Sequence, residues 1–275
     1  MGNMQHYNLC LVNQKPQQPL RNIEYLAFGV GSIRGLALIS AYETLLNTRD
    51  INLNLKGISG SSVGSIMCMA IILKLTVQEM KDFPNKQFLS NLTRIFKLAK
   101  TCEKLHFLQI EYLKKELIIF MNSKNISELL TFDEIQNLDV RIAAYDVNLK
   151  KTMIFSKQNT PNVCLIDAVL ASCAMPFIFS PIQIFDHCYS DGGELNEILF
   201  HEFDSSKTLG LYLFDRYRNR ANAILFFKTL TKQQRNNIIS IDVSKIGFLT
   251  LNPSHETIKY LYNQGKVAVE NYFQT

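Results

Sequence analysis

The sequence predicts an α/β fold in which a central, mostly parallel sheet is flanked by helices in three layers. Its first half opens with two strand–turn–helix units in succession, 23–46 and 53–73, and both turns contain glycine. This alternation favours a parallel sheet with helices packed on its faces. The chain has 275 residues, of which 47% are hydrophobic and 19% charged. That composition supplies enough apolar side chain for a large core and excludes disorder for most of the chain.

The individual elements follow from hydrophobic patterning. Short apolar runs are typical of buried strands, and a repeat of three to four residues is typical of helices. The predicted strands are 23–28, 53–58, 140–144, 153–155, 209–214 and 238–243. The predicted helices are 36–46, 65–73 and 165–174, with a further helix after Ser254 as its N-cap. The region 76–137 has helical character, clearest over 110–120.

The domain organisation is simple. Residues 1–22 are polar and irregular, and 23–275 are predicted to form a single domain because no linker rich in Pro, Gly or Ser interrupts them. We expect no secretory signal and no membrane span, since the longest apolar run, 66–75, is about half the length that a span needs. The six cysteines show no metal or disulfide pattern, which favours an intracellular chain, soluble or peripheral to a membrane. A net charge of +5 does not indicate a nucleic-acid partner.

The sharpest local motif is Gly60-Ser61-Ser62-Val63-Gly64, between a predicted strand and a predicted helix. It matches the G-x-S-x-G pattern of a serine nucleophile on a tight turn, where small residues two before and two after the serine prevent collisions. The helix that follows directs unpaired N–H groups and the positive end of its dipole at the serine. Ser62 is therefore a candidate nucleophile, and Gly60 and Gly64 are the glycines that the turn requires.

A second glycine turn covers 29–35, again between strand and helix. The third glycine of a dinucleotide fingerprint is absent, because Arg34 stands in that position. A nucleotide cofactor is therefore not predicted. The turn retains backbone N–H groups suited to an anion or an oxyanion.

The third motif is Asp191-Gly192-Gly193, which by itself indicates no more than a turn. The three motifs together, with the segment 167–176 that leads into Pro176, resemble the patatin-like phospholipases over about 23–200. The resemblance implies the patatin fold and a catalytic dyad with Ser62 as nucleophile and Asp191 as general base. It implies fatty-acyl esters of glycerophospholipids as substrates, an acyl-serine intermediate, and neither metal nor cofactor.

The resemblance also implies partners and an oxyanion hole. Membrane lipid or a lipid aggregate would be the substrate, and a protein activator is expected for some members of the family. The oxyanion hole would be formed by backbone N–H groups of Val30, Gly31, Ser32 and Arg34. Here the sequence departs from the family, which has three glycines where this chain has Val30, Gly31 and Ser32. A valine at positive φ would be strained, so we expect an altered oxyanion hole. Arg34 is expected to organise the turn rather than to contact substrate.

Two alternatives stay open. A Ser-His-Asp esterase would combine Ser62 and Asp191 with His255 or His201. A non-catalytic lipid-binding protein on the same fold would explain the missing glycines. For membrane contact, the basic segment around 221–227 is one candidate, although an ordinary amphipathic helix with a solvated basic face is the favoured interpretation. The helical block 76–137 is another candidate, as a cover over the site.

Overall fold

The computed structural model describes residues 16, 18–83, 110–176, 178–194, 198–215, 226–247, 250 and 253–274. Within these ranges, the strands are β1 Asn22–Phe28, β2 Asn52–Ser61, β3 Asp139–Asp146, β4 Lys151–Phe155, β5 Ile182–Ile184, β6 His187–Asp191, β7 Thr208–Phe214 and β8 Ile238–Asp242. The α-helices are α1 Leu36–Asn47, α2 Val63–Ile72, α3 Val77–Asp82, α4 Glu111–Ser123, α5 Leu165–Cys173, α6 Lys232–Asn236 and α7 His255–Phe273.

These strands form one mixed sheet in the order β5-β6-β3-β2-β1-β7-β8, with β4 paired to β3 outside that path. The five strands from β3 to β8 along this order are parallel to one another. The strands β4, β5 and β6 add antiparallel pairs at one end. The predicted mostly parallel sheet flanked by helices is confirmed, and its parallel strands end at the same edge of the sheet.

The strand β3 has three partners, and this arrangement positions the site. Its residues 139–143 pair with β2, 142–146 pair with β4, and 144–146 pair with β6. Because β4 overlaps both other partners in register, it occupies one edge of β3 while β2 and β6 share the other edge. On that shared edge Ser61 lies opposite Ala143 and Asp191 lies opposite Ala144. The ends of β2 and β6 therefore meet head to head.

The two faces of the sheet carry separate apolar clusters. Leu26 and Phe28 of β1 point into the larger cluster, which contains α1, α2 and α5, whereas Ala27 points into the smaller one. The smaller cluster includes Phe200, Tyr212 and Phe227. This alternation is the period-two pattern of a strand buried on both faces, and it gives the three layers that the sequence predicts.

The main differences from the predicted elements concern the middle of the chain. The antiparallel hairpin β5–β6 was not expected as two strands, because strands of three and five residues carry too few positions to show a period. In the region 76–137, helix is confined to α3 and α4 among the described residues, and 84–109 lie outside them. The region after α4 forms turns instead. Among the described helices, none has both the length and the apolar character to cross a membrane.

Helix α7 packs closely on α1, and Gly265 permits the approach. A Cβ atom at Gly265 would collide with the carbonyl group of Ala37. We expect Gly265→Ala to lower the free energy of unfolding by about 2 kcal/mol, since overpacking outweighs the gain in helix propensity. Chemical denaturation measures this. The matched control is Gly247→Ala, whose Cβ would lie 3.4 Å from Thr250 Oγ1, an ordinary contact; an equal loss in both variants would contradict the packing explanation.

Candidate active site

Ser62 lies on a sharp turn between β2 and α2, in a backbone conformation that side chains rarely adopt. Its φ is 53° and its ψ is −125°. A Cβ at Gly60 would collide with the backbone of Gly64, and a Cβ at Gly64 would collide with the carbonyl oxygen of Phe28. Both glycines are therefore required by close contact between the turn, the helix and β1. A non-glycine residue held at such a φ is costly and is characteristic of functional turns.

The Ser62 hydroxyl contacts Asp191 directly. Ser62 Oγ donates a hydrogen bond of 2.7 Å to Asp191 Oδ2. The other carboxylate oxygen, Oδ1, accepts a hydrogen bond of 2.7 Å from the N–H of Gly193. The backbone of Asp191 is fixed in turn, because its N–H donates to the carbonyl oxygen of Ala174 at 2.9 Å. Both Ser62 and Asp191 are buried, so few water molecules compete for these hydrogen bonds.

Ser172 holds the backbone of Ser62, a role that sequence analysis missed. The N–H of Ser62 donates to Ser172 Oγ at 2.8 Å, and this hydroxyl donates to the carbonyl oxygen of Ala143 at 2.6 Å. Ser172 thereby joins the turn, α5 and β3, and it is fully buried. The sequence signal that could have identified Ser172 is its place within the apolar stretch of a predicted helix. A hydroxyl buried there needs hydrogen-bond partners.

The carbonyl oxygen of Ser62 is also occupied. Ser65 Oγ donates to it at 2.6 Å, and Cys173 Sγ lies 3.4 Å from it. Burial raises the pKa of the Cys173 thiol, so this cysteine is neutral near physiological pH. Cys173 is therefore a packing and hydrogen-bonding group here rather than a reactive thiolate.

The glycine turn after β1 lies beside Ser62 and the Asp191 turn. Val30 packs against Gly193, and Ser32 lines the same cavity as Ser62. The N–H of Gly29 donates to Leu211, whereas no described residue accepts a hydrogen bond from the N–H of Val30, Gly31 or Ser32. The residue at positive φ is Ser32, at 53°, and not Val30. The expected strain at a valine is thus wrong, because the turn places its left-handed residue two positions later.

Arg34 points away from the cavity and anchors the turn. Its Nη1 lies 2.6 Å from Asp215 Oδ2, with both side chains more than nine-tenths buried, and its Nε donates to the carbonyl oxygen of Gly31 at 3.3 Å. Asp215 follows β7 directly. Sequence analysis did not identify Asp215, since a single aspartate after a strand carries no pattern.

Ser62 lines a cavity of about 180 Å³ whose walls are otherwise almost entirely apolar. Its wall along α2 includes Ile66, Met69 and Ala70. Side chains of α3 and α4, such as Met80 and Leu117, line another part. A serine hydroxyl in the wall of an apolar cavity suits a ligand with a hydrocarbon chain next to a polar group.

The histidines lie apart from this arrangement in the described part of the chain. His255 is the first residue of α7, and His201 contacts the rings of Phe200 and Phe226. His187 Nδ1 lies 2.7 Å from Asp146 Oδ2. No described histidine forms a hydrogen bond with Ser62, whose hydroxyl has Asp191 as its partner.

The family model of the patatin-like phospholipases matches residues 26–204, which include all three motifs. This chain belongs to the patatin-like phospholipase family. Two viral proteins are similar in sequence, each 28% identical: an uncharacterized protein of Acanthamoeba polyphaga mimivirus over 72% of this chain, and a probable lipid hydrolase of Invertebrate iridescent virus 6 over 62%. The matched regions span 67% and 60% of those two proteins.

The fold is similar to that of VipD from Legionella pneumophila, with a TM-score of 0.62 and 14% sequence identity. The likeness covers 92% of this chain and 67% of the VipD chain. At this identity the comparison establishes the fold alone, and it agrees with the patatin-like architecture that the sequence predicts.

The buried Arg34–Asp215 ion pair should contribute to the stability of the fold. We expect Asp215→Asn to lower the free energy of unfolding by about 3 kcal/mol, because the buried guanidinium of Arg34 loses a charged partner. The matched control is Asp133→Asn, which breaks an exposed pair with Lys157 at 3.3 Å and should cost less than about 1 kcal/mol. Urea denaturation of both variants measures the difference. Equal, small losses would mean that Asp215 does not anchor the turn.

Proposed function

We propose that this protein is a lipid acyl hydrolase of the phospholipase A type, which cleaves fatty-acyl esters of glycerophospholipids through an acyl-Ser62 intermediate. The observation that carries the proposal is the 2.7 Å hydrogen bond between Ser62 Oγ and Asp191 Oδ2, with Ser62 in the lining of an apolar cavity. Family membership supports a hydrolase. The name of the iridescent virus relative, a probable lipid hydrolase, agrees with it.

In the first half of the reaction, Asp191 is the general base. Its Oδ2 accepts the proton of Ser62 Oγ while Oγ attacks the ester carbonyl carbon, and the carbonyl oxygen becomes an oxyanion. The tetrahedral intermediate then collapses with cleavage of the bond to the alcohol oxygen. The departing lysolipid alcohol takes the proton from Asp191, which leaves the acyl group on Ser62.

In the second half, a water molecule replaces the alcohol. Asp191 accepts a proton from this water, whose oxygen attacks the acyl carbon and forms a second tetrahedral intermediate. Collapse releases the fatty acid, and Ser62 Oγ recovers its proton from Asp191. The same carboxylate therefore serves both halves without a histidine, as long as it stays within hydrogen-bond distance of the serine.

The glycine turn supplies the oxyanion donors in this proposal. The amide of Ser62 is already bonded to Ser172, so the oxyanion must be stabilised by other N–H groups. Those of Val30, Gly31 and Ser32 lack partners among the described residues and lie on the turn beside Ser62. Loss of one such donor typically costs about 3 kcal/mol of transition-state stabilisation. Arg34 contributes by fixing the turn through Gly31 and Asp215.

The cavity would hold the fatty-acyl chain. Burial of a hydrocarbon chain against apolar side chains is favourable, and it would direct the ester carbonyl toward Ser62. The lipid head group would then lie outside the cavity. Membrane lipid or a lipid aggregate is accordingly the proposed substrate, and a protein activator remains a prediction from the family resemblance.

Fatty-acid release from mixed phospholipid vesicles tests the dyad. We expect Ser62→Ala and Asp191→Asn each to reduce release by about a thousandfold or more, because each removes a group that acts in both halves of the reaction. The matched control is His255→Ala, which should retain wild-type release. Loss of activity in His255→Ala would favour the triad. A wild-type protein that binds vesicles but releases nothing would favour a binding role or a missing activator.

A change in the size of the cavity tests whether it holds the fatty-acyl chain. Ala70 is buried on α2 and lines the cavity, so Ala70→Leu should shorten the chain that fits. We expect the kcat/KM for a long-chain ester to fall about tenfold relative to that for a butyrate ester, the scale for a steric change in an apolar pocket. Ala268→Leu, on α7 and outside the cavity lining, is the control. An unchanged ratio in Ala70→Leu would mean that the acyl chain binds elsewhere.

A further inference from the structure

Two neighbouring turns expose apolar side chains at the edge of the sheet where Ser62 lies. The first turn, 147–150, joins β3 to β4 and is followed by Lys151, the first residue of β4, and the second turn, 185–186, joins β5 to β6. Together they are called the loop-tip surface here. Of the seven exposed large hydrophobic side chains among the described residues, three lie on it: Val147 at 40%, Leu149 at 50% and Phe185 at 71% exposed.

Hydrogen bonds hold the first turn against β6, close to the second turn. The N–H of Val147 donates to the carbonyl oxygen of Cys188 at 2.9 Å, and the N–H of Cys188 donates to Asn148 Oδ1 at 2.8 Å. Behind them, His187 Nδ1 and the fully buried Asp146 Oδ2 lie 2.7 Å apart. The exposed apolar side chains therefore lie on neighbouring segments that hydrogen bonds hold in place.

Phe185 combines a strained backbone conformation with an exposed side chain. Its φ is 52°, in the left-handed region where a bulky residue is an outlier and where glycine or asparagine is usual. A strained backbone and a solvent-exposed aromatic ring at the same position both cost free energy in the isolated protein. Such a combination indicates a side chain presented to a partner.

The charged residues of this surface indicate the chemistry of its partner. Lys150 and Lys151 are exposed, and neither forms an ion pair with a described acidic side chain. Asp186 is the exposed acidic residue of the hairpin turn. Apolar side chains flanked by lysines are the composition of surfaces that rest on anionic bilayers, where the ring enters the interface and the ammonium groups meet lipid phosphates.

The loop-tip surface lies at the same edge of the sheet as the site. The strands β2 and β3 are parallel, so the turn after β3 leaves the sheet at the edge where Ser62 follows β2. From the hairpin turn, β6 runs back to Asp191, and at about 3.3 Å per residue Phe185 lies roughly 20 Å beyond that carboxylate. A bilayer on the loop-tip surface would thus face the edge that carries Ser62.

We propose that the loop-tip surface docks the protein on anionic lipid bilayers, with Phe185 and Leu149 entering the interface and Lys150 and Lys151 contacting anionic head groups. The inference rests on the proposed function, because docking on a bilayer would bring a lipid hydrolase to its substrate.

The segment around 221–227 is a weaker candidate for membrane docking. Its two described residues belong to the smaller cluster: Phe227 is buried with its ring centroid 5.4 Å from that of Tyr212, and Phe226 packs half-buried against the cluster. Residues 216–225 lie outside the described ranges.

Sedimentation with phosphatidylcholine vesicles, with and without phosphatidylserine, tests the proposal in a Ser62→Ala background so that no lipid is hydrolysed. We expect Phe185→Asn with Leu149→Ser to reduce binding to anionic vesicles about tenfold or more, the scale for exposing one or two buried apolar side chains. Lys150→Gln should reduce binding about fivefold, and only on anionic vesicles. Asparagine tolerates positive φ, so Phe185→Asn should keep or raise the melting temperature.

The matched control is Leu129→Ser with Leu46→Ser, which removes side chains of nearly equal exposure, 69% and 50%. Leu129 lies beside Cys164 at the start of α5, the end opposite to Cys173 and Ser62. Control binding should stay within about twofold of wild type. Equal losses in the two double variants, or no sedimentation of the parent protein with anionic vesicles, would overturn the docking proposal.

Hydrolysis of a soluble butyrate ester, with Ser62 intact, separates this proposal from the proposed function. The loop-tip variants should cleave it at the wild-type rate while losing activity on vesicles. If the wild type cleaves no ester yet sediments with anionic vesicles through the loop-tip surface, the docking stands and the proposed function fails. If the loop-tip variants hydrolyse vesicles as fast as wild type, the docking fails and the proposed function stands.

Discussion

One edge of β3 determines the geometry of the site. The strands β2 and β6 occupy that edge in succession and run toward each other, so the residues at their ends are brought into contact by the register of the sheet. Ser62 and Asp191 meet there at 2.7 Å, although 129 residues separate them in the chain. The hydrogen-bonded ladder fixes both backbones. A serine and an aspartate positioned by strands need little reorganisation before reaction, which is the condition for efficient proton transfer.

The strained turn at Ser62 is compensated by its surroundings. Every polar group of Ser62 has a partner: the N–H bonds to Ser172, the carbonyl oxygen accepts from Ser65, and the hydroxyl donates to Asp191. Each buried hydrogen bond is worth about 1 kcal/mol, which is comparable to the cost of the unusual φ. By contrast, the adjacent turn leaves several N–H groups without described partners while Arg34 and Asp215 hold it from behind. In the proposed function, this difference separates the fixed part of the site from the part that would receive the oxyanion.

Sequence patterns predicted most of this fold because buried strands and amphipathic helices have distinct periods. The Gly-x-Ser-x-Gly turn made Ser62 a candidate nucleophile from the sequence, whereas the Asp-Gly-Gly turn indicates only a turn, and the role of Asp191 was implied by the resemblance to the patatin-like phospholipases. Ser172 and Asp215 were not identified, because their roles come from contacts with distant residues. A serine within an apolar helical stretch was the signal for Ser172, and Asp215 carried none. The prediction of a left-handed conformation at Val30 was wrong for a related reason. The positive φ lies at Ser32. The neighbouring contacts, of Val30 with Gly193 and of Arg34 with the carbonyl oxygen of Gly31, join residues in ways that a local pattern does not show.

The central claim is that Asp191 activates Ser62 directly. Labelling with a fluorophosphonate, followed by peptide mass spectrometry, tests it without assuming a lipid substrate. The account predicts a single adduct on Ser62 in the wild type, and labelling slowed by about a hundredfold or more in Asp191→Asn, the scale of general-base catalysis. An adduct on another residue, or Asp191→Asn labelled at the wild-type rate, would contradict the account.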